Sequence, residues 1–188
     1  MSNSIFFLRH AETIINRDIL VDEWIISEKG KKTTKEIIES GIFDDIDKII
    51  TSEERKAIQT AFFLAERLGK KIITNSDFNE LKRGGNYVSS KKQYEKQVKK
   101  LFEEGYSEIK EWEEARSALR RITRAIDYID REYSNMNILV VSHGIILSLY
   151  FNHLLGITKA KQFNRWKRME FCGWGIVENK KVIKDIID

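Results

Sequence analysis

The chain lacks several features that would each point to a class of protein. Its 188 residues include no proline and a single cysteine, Cys172. One cysteine excludes an internal disulfide and any metal site built from several thiolates, and the simplest interpretation of Cys172 is a small buried side chain. No apolar run approaches the roughly 20 residues that a membrane-spanning helix needs, so we expect no membrane partner.

Further absences bear on processing and organisation. The first residues contain no basic region followed by a long apolar stretch, so no secretory signal is predicted and a cytoplasmic location is expected. The chain has no internal repeat, Gly/Ser-rich linker or low-complexity tract. Its length suits one domain covering residues 1–188, with an enlarged core and a small inserted segment.

Composition and net charge exclude fewer classes of protein than these absences do. Hydrophobic residues make up 41% of the chain and charged residues 33%, which is the composition of a folded globular domain. The formal net charge of +4 is compatible with binding nucleic acid, binding an anionic small molecule, or neither. Because the chain has no recognised nucleic-acid-binding module and no stripe of aromatic and basic residues, we expect no nucleic-acid partner.

Apolar and amphipathic segments alternate along the chain. Four short runs rich in Ile, Val and Phe are continuous in hydrophobicity, as expected for strands covered on both faces: residues 4–8, 48–51, 71–74 and 137–142. Helical patterns follow or precede them, and two more strands are expected around a turn in the tail: helices 28–39, 53–68, 115–132 and 144–155, and the turn 178–181. This alternation predicts a three-layer α/β/α domain around a mostly parallel central sheet.

Residues 82–114 interrupt the alternation and predict helices inserted over one end of the sheet as a lid. The segment is rich in Lys and Glu, with aromatic residues between them: Tyr87, Tyr94, Phe102, Tyr106 and Trp112. We expect it to determine the substrate, with Tyr87 packing on an organic moiety and four cations binding further anionic groups: Lys82, Arg83, Lys91 and Lys92. The alternative is that the charges form a solvated face and the aromatic residues belong to the core.

Polar residues come directly after the predicted strands, where ligands bind in open parallel sheets. Those after the first, second and fourth strands are Arg9, His10, Ser52, Arg55, His143 and Gly144, and Glu80 comes shortly after the third. Each has an ordinary alternative when taken alone: a hydrogen-bonded strand-end histidine, a solvated helix cation, an N-cap serine or a salt-bridging glutamate.

Arg55 is the most informative of these residues. It is expected in the first turn of its helix, where a cation opposes the helix dipole by roughly 0.3–1 kcal/mol. An anion bound at that end of the helix would reverse the sign, because the free N–H groups and the guanidinium groups of Arg9 and Arg55 all favour negative charge. A phosphate is the simplest ligand for this set of residues, which contains no metal-ligand cluster.

Four motifs together resemble the histidine phosphatase superfamily, in the branch related to cofactor-dependent phosphoglycerate mutase. They are Arg-His-x-Glu-Thr at residues 9–13 with Asn16 beyond it, a run from serine to Gln-Thr-Ala at 52–61 that contains Arg55, Phe-x-Glu-Leu-x-x-Gly at 78–84, and Ser-His-Gly at 142–144. The family more often has glycine where this chain has Ala11, so the loop must accept a Cβ there. The residues after the two histidines, Ala-Glu-Thr and Gly, differ from those of the acid-phosphatase and phytase branch and argue against it.

The resemblance implies a phosphohistidine mechanism that needs no metal or other cofactor. His10 is then the nucleophile, and Glu80 protonates the leaving oxygen and later activates the attacking water. His143 completes the catalytic set, and the groups expected around the phosphoryl oxygens are Arg9, Asn16, Arg55, His143 and Gly144. Glu80 can act as an acid only when protonated, which desolvation under residues 82–114 or the charge of the substrate would favour.

Three functions are compatible with these motifs. We expect hydrolysis of small-molecule phosphomonoesters, because mutases of the family are typically longer, with a C-terminal extension, whereas this chain ends at Asp188. The first alternative is a mutase-type phosphotransferase with residues 82–114 as its lid. The second is a non-catalytic regulatory protein that binds a phosphorylated ligand. The presence of His10, Glu80 and His143 argues against it, since a pure binder needs no proton donor.

Overall fold

The computed structural model describes residues 2–84, 88 and 90–188, and in this part of the chain six strands form one sheet. The strands are β1 (Ser4–Arg9), β2 (Lys48–Thr51), β3 (Ile72–Thr74), β4 (Asn137–Ser142), β5 (Trp174–Glu178) and β6 (Lys181–Lys184). Their order across the sheet is β3-β2-β4-β1-β5-β6. The first four strands of this order are parallel, whereas β5 is antiparallel to β1 and β6 is antiparallel to β5.

Both faces of the central strands are buried. In β4, Ile138 and Val140 belong to one hydrophobic cluster, while Leu139 and Val141 belong to another. Because successive side chains of a strand point to opposite faces, one continuous apolar run supplies both clusters. The continuous hydrophobicity of the sequence therefore reflects a sheet that lies between two layers of helices.

Six helices in the described residues surround the sheet, and none of them is long and apolar enough to cross a membrane. They are α1 (Glu28–Glu39), α2 (Arg55–Leu68), α3 (Lys91–Glu104), α4 (Ala115–Glu132), α5 (Gly144–Leu154) and α6 (Lys159–Arg168). Ile38 of α1 and Leu64 of α2 join the cluster on one face, and Ile126 of α4 and Ile146 of α5 join the cluster on the other. The predicted three-layer α/β/α architecture is confirmed.

The described part of residues 82–114 contains one α-helix, α3, which packs against α6. Phe102 and Trp112 belong to the core and Tyr94 packs against it, whereas Tyr106 is 48% exposed. Tyr87 lies outside the described residues. The sequence pattern does not predict α6, because its ten residues KAKQFNRWKR are mostly polar and none of them is fully buried.

Helix α2 begins two residues later than predicted, and Glu54, not Ser52, is its N-cap. The Ser52 hydroxyl accepts a hydrogen bond from the Glu54 N–H at 3.2 Å and lies 2.7 Å from the His143 ring. The helix ends as predicted at Leu68, and the next residue, Gly69, adopts a left-handed conformation with φ of 61°. The later start of α2 changes which side chains of its first turn face the site.

Candidate active site

The carboxyl ends of β1, β4 and β2 bring three polar segments together. Arg9 is opposite Ser142 in the β1–β4 pair, and Thr51 is opposite Val141 in the β2–β4 pair. The residues that follow these strands therefore emerge side by side. The ring centroids of His10 and His143 are 5.0 Å apart, as the strand order requires of residues that follow neighbouring strands.

His10 is held as a neutral ring with one nitrogen available. Its Nδ1 lies 2.8 Å from the carbonyl oxygen of Ala11. Because a carbonyl can only accept, Nδ1 carries the hydrogen and Nε2 keeps its lone pair. Burial lowers the pKa of His10 well below its usual value, and the neighbouring His143, Arg9 and Lys56 lower this pKa further. Nε2 thus carries the available lone pair of this ring at neutral pH.

Arg9 is fixed beside His10 by contacts on several sides. Its guanidinium donates to the carbonyl oxygen of Met169 and lies 4.2 Å from the centroid of the Phe171 ring. A Cβ on Gly144 would lie 3.3 Å from the Cζ and Nε atoms of Arg9, so glycine at position 144 leaves room for the guanidinium. Within the described residues the Nε of Arg9 is buried without a hydrogen-bond partner, which leaves one donor for a ligand.

His143 is fully buried and also has a nitrogen without a partner in the part of the chain that the structure describes. Its Nε2 lies 2.7 Å from the Ser52 hydroxyl and 3.5 Å from Oε1 of Glu54, whereas Nδ1 has no partner. Burial lowers the pKa of His143 well below its usual value, and nearby cations led by Lys56 lower it further. Nδ1 of the neutral ring can donate to an anion only in the tautomer in which Nε2 accepts from the Ser52 hydroxyl.

The prediction that Arg55 faces this site is wrong. Arg55 is exposed and lines a separate cleft with Asp22, Glu23 and Glu53, whereas Lys56 is 3% exposed and lines the cavity of His10. Consecutive residues of an α-helix point about 100° apart, so only one of the two cations can face the cavity. Periodicity offered a signal, since Lys56 shares the buried stripe of α2 with further residues: Ala57, Thr60, Ala61 and Leu64.

Lys56 is paired with a buried carboxylate that the sequence analysis missed. Its ammonium group forms an ion pair with Oε2 of Glu54 and donates to the carbonyl oxygen of Val21 at 2.9 Å. Oε1 of Glu54 accepts a 2.6 Å hydrogen bond from the backbone N–H of Glu80. A buried charge is costly unless it is paired and hydrogen-bonded, and Glu54 meets both conditions. It connects Lys56, Glu80 and His143.

Glu80 is 8% exposed and lies at the N-terminus of α5. Oε1 accepts from the N–H groups of Leu81 at 2.9 Å and Ile146 at 3.0 Å, and Oε2 accepts from the N–H of Ile145 at 3.0 Å. These three donors fix the position of the carboxylate. Because Glu80 also lines the cavity of His10, its carboxylate remains placed for proton transfer there.

A second ion pair fixes the loop that carries Glu80. Arg121 of α4 donates to the carbonyl oxygens of Asp77 at 2.8 Å and Asn79 at 2.9 Å. Its other terminal nitrogen lies 2.8 Å from Oε2 of Glu113, with both side chains largely buried. These contacts hold the segment before Glu80 in place.

A cavity of about 530 Å³ contains the predicted nucleophile and the groups around it. Its charged and polar lining includes Arg9, His10, Lys56, Glu80, Arg83, Lys91 and Tyr94, and its apolar lining includes Ile15, Val21, Trp24 and Phe171. Of the four cations expected from residues 82–114, Arg83 and Lys91 line the cavity, whereas Lys82 and Lys92 are exposed elsewhere.

Asn16 does not lie where the motif predicts. It is exposed, and its side-chain oxygen accepts a 2.9 Å hydrogen bond from the N–H of Asp18. It is not among the residues that line the cavity of His10. Among the described residues, no group of three or more His, Cys, Asp or Glu side chains is placed to hold a metal ion.

The sequence matches a family model over most of its length. The model describes the histidine phosphatase superfamily (branch 1) and covers residues 5–181. The chain therefore belongs to this superfamily, and the resemblance inferred from the four motifs is confirmed.

Individual relatives are distant in sequence and similar in fold. A probable phosphoglycerate mutase, GpmB from Yersinia enterocolitica, is 26% identical over 163 residues, with 81% of this chain and 75% of the relative covered. The structure of Bacillus stearothermophilus YhfR has a TM-score of 0.80 at 17% identity, with 100% of both chains covered. A mycobacterial glucosyl-3-phosphoglycerate phosphatase with VO3 has a TM-score of 0.78 at 17% identity, with 97% of this chain and 96% of that chain covered. At these identities the structural likeness establishes the fold.

Proposed function

We propose that the chain hydrolyses phosphomonoesters of small molecules through a phosphohistidine on His10. The observation that carries the proposal is the neutral His10 ring, oriented through Nδ1 by the Ala11 carbonyl. It lines one cavity with two cations, Arg9 and Lys56, and with the carboxylate of Glu80. This combination suits nucleophilic attack on phosphorus in a dianionic group.

In the first half of the reaction, Nε2 of His10 attacks phosphorus while the bond to the leaving oxygen breaks. The phosphoryl oxygens carry negative charge in the transition state, and the groups proposed to stabilise it are Arg9, Lys56 and the Nδ1–H of His143. For His143 this requires the tautomer in which Nε2 accepts from the Ser52 hydroxyl. Lys56 takes the role that the sequence assigned to Arg55. Its ion pair with Glu54 holds the ammonium group against the cavity wall before substrate arrives.

Glu80 is the proposed proton-transfer group in both halves of the reaction. Protonated Glu80 gives its proton to the leaving oxygen. In the second half, ionised Glu80 takes a proton from the water that attacks phosphohistidine, and inorganic phosphate leaves.

Residues 82–114 are proposed to cover the cavity as a lid. Arg83, Lys91 and Tyr94 of this segment line the same cavity as His10. A covering segment would exclude bulk water from the phosphoryl group and contact the organic part of the substrate.

A mutase-type phosphotransferase is the second candidate, favoured by the likeness to the probable phosphoglycerate mutase of Yersinia enterocolitica. Both activities share the phosphohistidine, so phosphate release has to be measured directly. We expect release from sugar phosphates, phosphoglycerates or phosphoamino acids. We expect little conversion of 3-phosphoglycerate to 2-phosphoglycerate when 2,3-bisphosphoglycerate is supplied. Efficient isomerisation with negligible phosphate release would identify the mutase instead.

A further inference from the structure

Four arginines in the described residues are partly buried, and they differ in whether they form an ion pair: Arg9, Arg83, Arg121 and Arg165. Arg121 forms an ion pair with Glu113 and Arg165 with Asp185. No carboxylate in the described part of the chain pairs with the other two, and both of them line the cavity of His10. The proposed reaction accounts for Arg9 through the transferring phosphoryl group, and it leaves Arg83 without a role.

Arg83 is held in place by aromatic residues. Its guanidinium donates to the Tyr94 hydroxyl at 3.1 Å, and its Cζ lies 5.4 Å from the centroid of that ring. Tyr94 packs on Trp112 and Trp166 at centroid distances of 5.9 and 6.0 Å. The backbone of Arg83 forms a β-bridge with Trp112. Because backbone and side chain are both fixed, the guanidinium loses little freedom when it binds a ligand.

The chemistry of the cavity specifies what Arg83 would bind. A partly buried guanidinium such as that of Arg83 favours a planar or tetrahedral anionic group that accepts two hydrogen bonds. Of the two carboxylates that line the cavity, Glu80 already accepts bonds from three backbone N–H groups, and Glu12 forms an ion pair with Lys29 at 3.0 Å. The apolar walls formed by Ile15, Trp24 and Phe171 suit an organic linker.

We propose that Arg83 binds a second anionic group, a carboxylate or a further phosphate, on the organic part of the phosphomonoester. This inference rests on the proposed phosphatase activity and narrows its substrates to phosphomonoesters with two separated anionic groups. Arg9 and Lys56 bind the phosphoryl group that is transferred, and Arg83 binds the group that remains on the product. Arg83 is thus a specificity-determining residue.

Matched substrates that differ only in the second anionic group test this inference. O-phosphoserine and phosphoethanolamine differ by a carboxylate, and fructose 1,6-bisphosphate and fructose 6-phosphate differ by a phosphate. We expect kcat/KM to be higher for the doubly anionic member of at least one pair. In Arg83→Gln this preference should fall about 10- to 100-fold, because a charge-assisted interaction is lost. The pair affected identifies the carboxylate or the phosphate.

Three controls separate specificity from general damage. Lys82→Gln, which changes an exposed neighbouring cation outside the cavity, should leave every rate unchanged. Arg83→Lys should keep part of the preference, because it keeps the charge and loses the two-point geometry. p-Nitrophenyl phosphate, which has no second anionic group, should lose much less activity in Arg83→Gln than the doubly anionic substrates do.

Two results would overturn the inference while the phosphatase activity stands. One is equal kcat/KM within both substrate pairs, measured in a protein that hydrolyses p-nitrophenyl phosphate. The other is an equal loss for all substrates in Arg83→Gln, which would indicate a structural role for the arginine. Absence of turnover on every substrate would instead overturn the proposed phosphatase, and this inference with it.

Discussion

Helix α2 begins between two regions that contain the same kinds of charged residue in opposite surroundings. Glu53 and Arg55 are exposed and line the outer cleft, whereas Lys56 is 3% exposed and lines the cavity of His10. Glu54 lies between the two regions, since it lines the outer cleft and pairs with Lys56 at 8% exposure. Charges in water are exchangeable at little cost, while a buried charge that loses its partner is strongly unfavourable. Neighbouring residues of the same type should therefore differ greatly in importance.

The largest expected difference is between the two glutamates. Glu54→Leu leaves the Lys56 ammonium buried without its carboxylate and the Glu80 N–H without an acceptor. We expect the free energy of unfolding to fall by about 3–5 kcal/mol in this variant. Glu53→Leu, which changes an exposed side chain, should stay within about 0.5 kcal/mol of the parent protein. Urea unfolding measures both.

The double variant Glu54→Leu/Lys56→Met sharpens this test. It removes both charges of the buried pair, and replacing such a pair by apolar residues is often nearly neutral. We expect it to be more stable than Glu54→Leu alone. A double variant that is less stable than the single one would mean that Glu54 does not act by compensating Lys56.

The two cations at the start of α2 should differ in catalysis. Lys56→Met removes a charge from the wall of the cavity and should lower kcat/KM by about 100- to 1,000-fold, as loss of one transition-state donor does. Arg55→Met changes the outer cleft and should leave kcat/KM near that of the parent protein. Steady-state kinetics on p-nitrophenyl phosphate measures kcat/KM for both variants. Equal losses in both variants would contradict the placement of Lys56 at the phosphoryl group.

Glu80→Gln tests the proton-transfer role of a residue that also caps α5. An alkyl leaving group needs its proton more than p-nitrophenolate does, so the variant should lose about 100-fold on alkyl phosphates and less on p-nitrophenyl phosphate. A drop of the same size for both substrates would show that Glu80 only positions the N-terminus of α5. The amide also places an N–H₂ group opposite backbone donors, so a modest loss of stability is expected with either outcome.

The smallest expected effect is on the pH dependence of stability. The folded protein holds His10 and His143 with pKa values well below the usual 6.5, chiefly because both rings are buried. Below pH 6.5 the unfolded chain binds protons that the folded chain does not, so stability falls as the pH falls through this range. Each buried histidine contributes up to about 1.4 kcal/mol per pH unit.

Histidine variants identify the source of this pH dependence. Between pH 7 and pH 5, the stability of His10→Asn should decrease less than that of the parent protein. His153→Asn, which changes an exposed histidine, should leave the decrease unchanged. If His10→Asn had the same pH dependence as the parent protein, the buried neutral ring would be contradicted.

The sequence was sufficient to predict the sheet and most of the residues at its edge. Continuous apolar runs indicate strands covered on both faces, and parallel strands deliver the residues after them to one edge. This logic brings His10, Glu80 and His143 to one edge of the sheet, because their positions depend on strand order and not on side-chain packing. The same topology predicts the positions of Arg9 and Gly144. It does not predict that the Arg9 guanidinium packs against Gly144.

Side-chain direction within one helical turn could not be derived with the same certainty. Choosing between Arg55 and Lys56 depends on which face of α2 is buried, and the side chains of adjacent helix residues differ in direction by about 100°. Glu54 resembles the exposed Glu53 in sequence, and only the fold shows that it is buried. Helix α6 could not be predicted, because a mostly polar segment becomes helical there by packing against α3.

The most direct test of the account is the identification of the covalent intermediate. The parent protein is incubated with a substrate labelled with ³²P in its phosphoryl group, quenched, and digested for peptide mapping. The proposed mechanism predicts a label that is stable to base, labile to acid and located on His10, and no label in His10→Ala. A catalytically active protein with no such label, or an active His10→Ala variant, would contradict nucleophilic catalysis by His10.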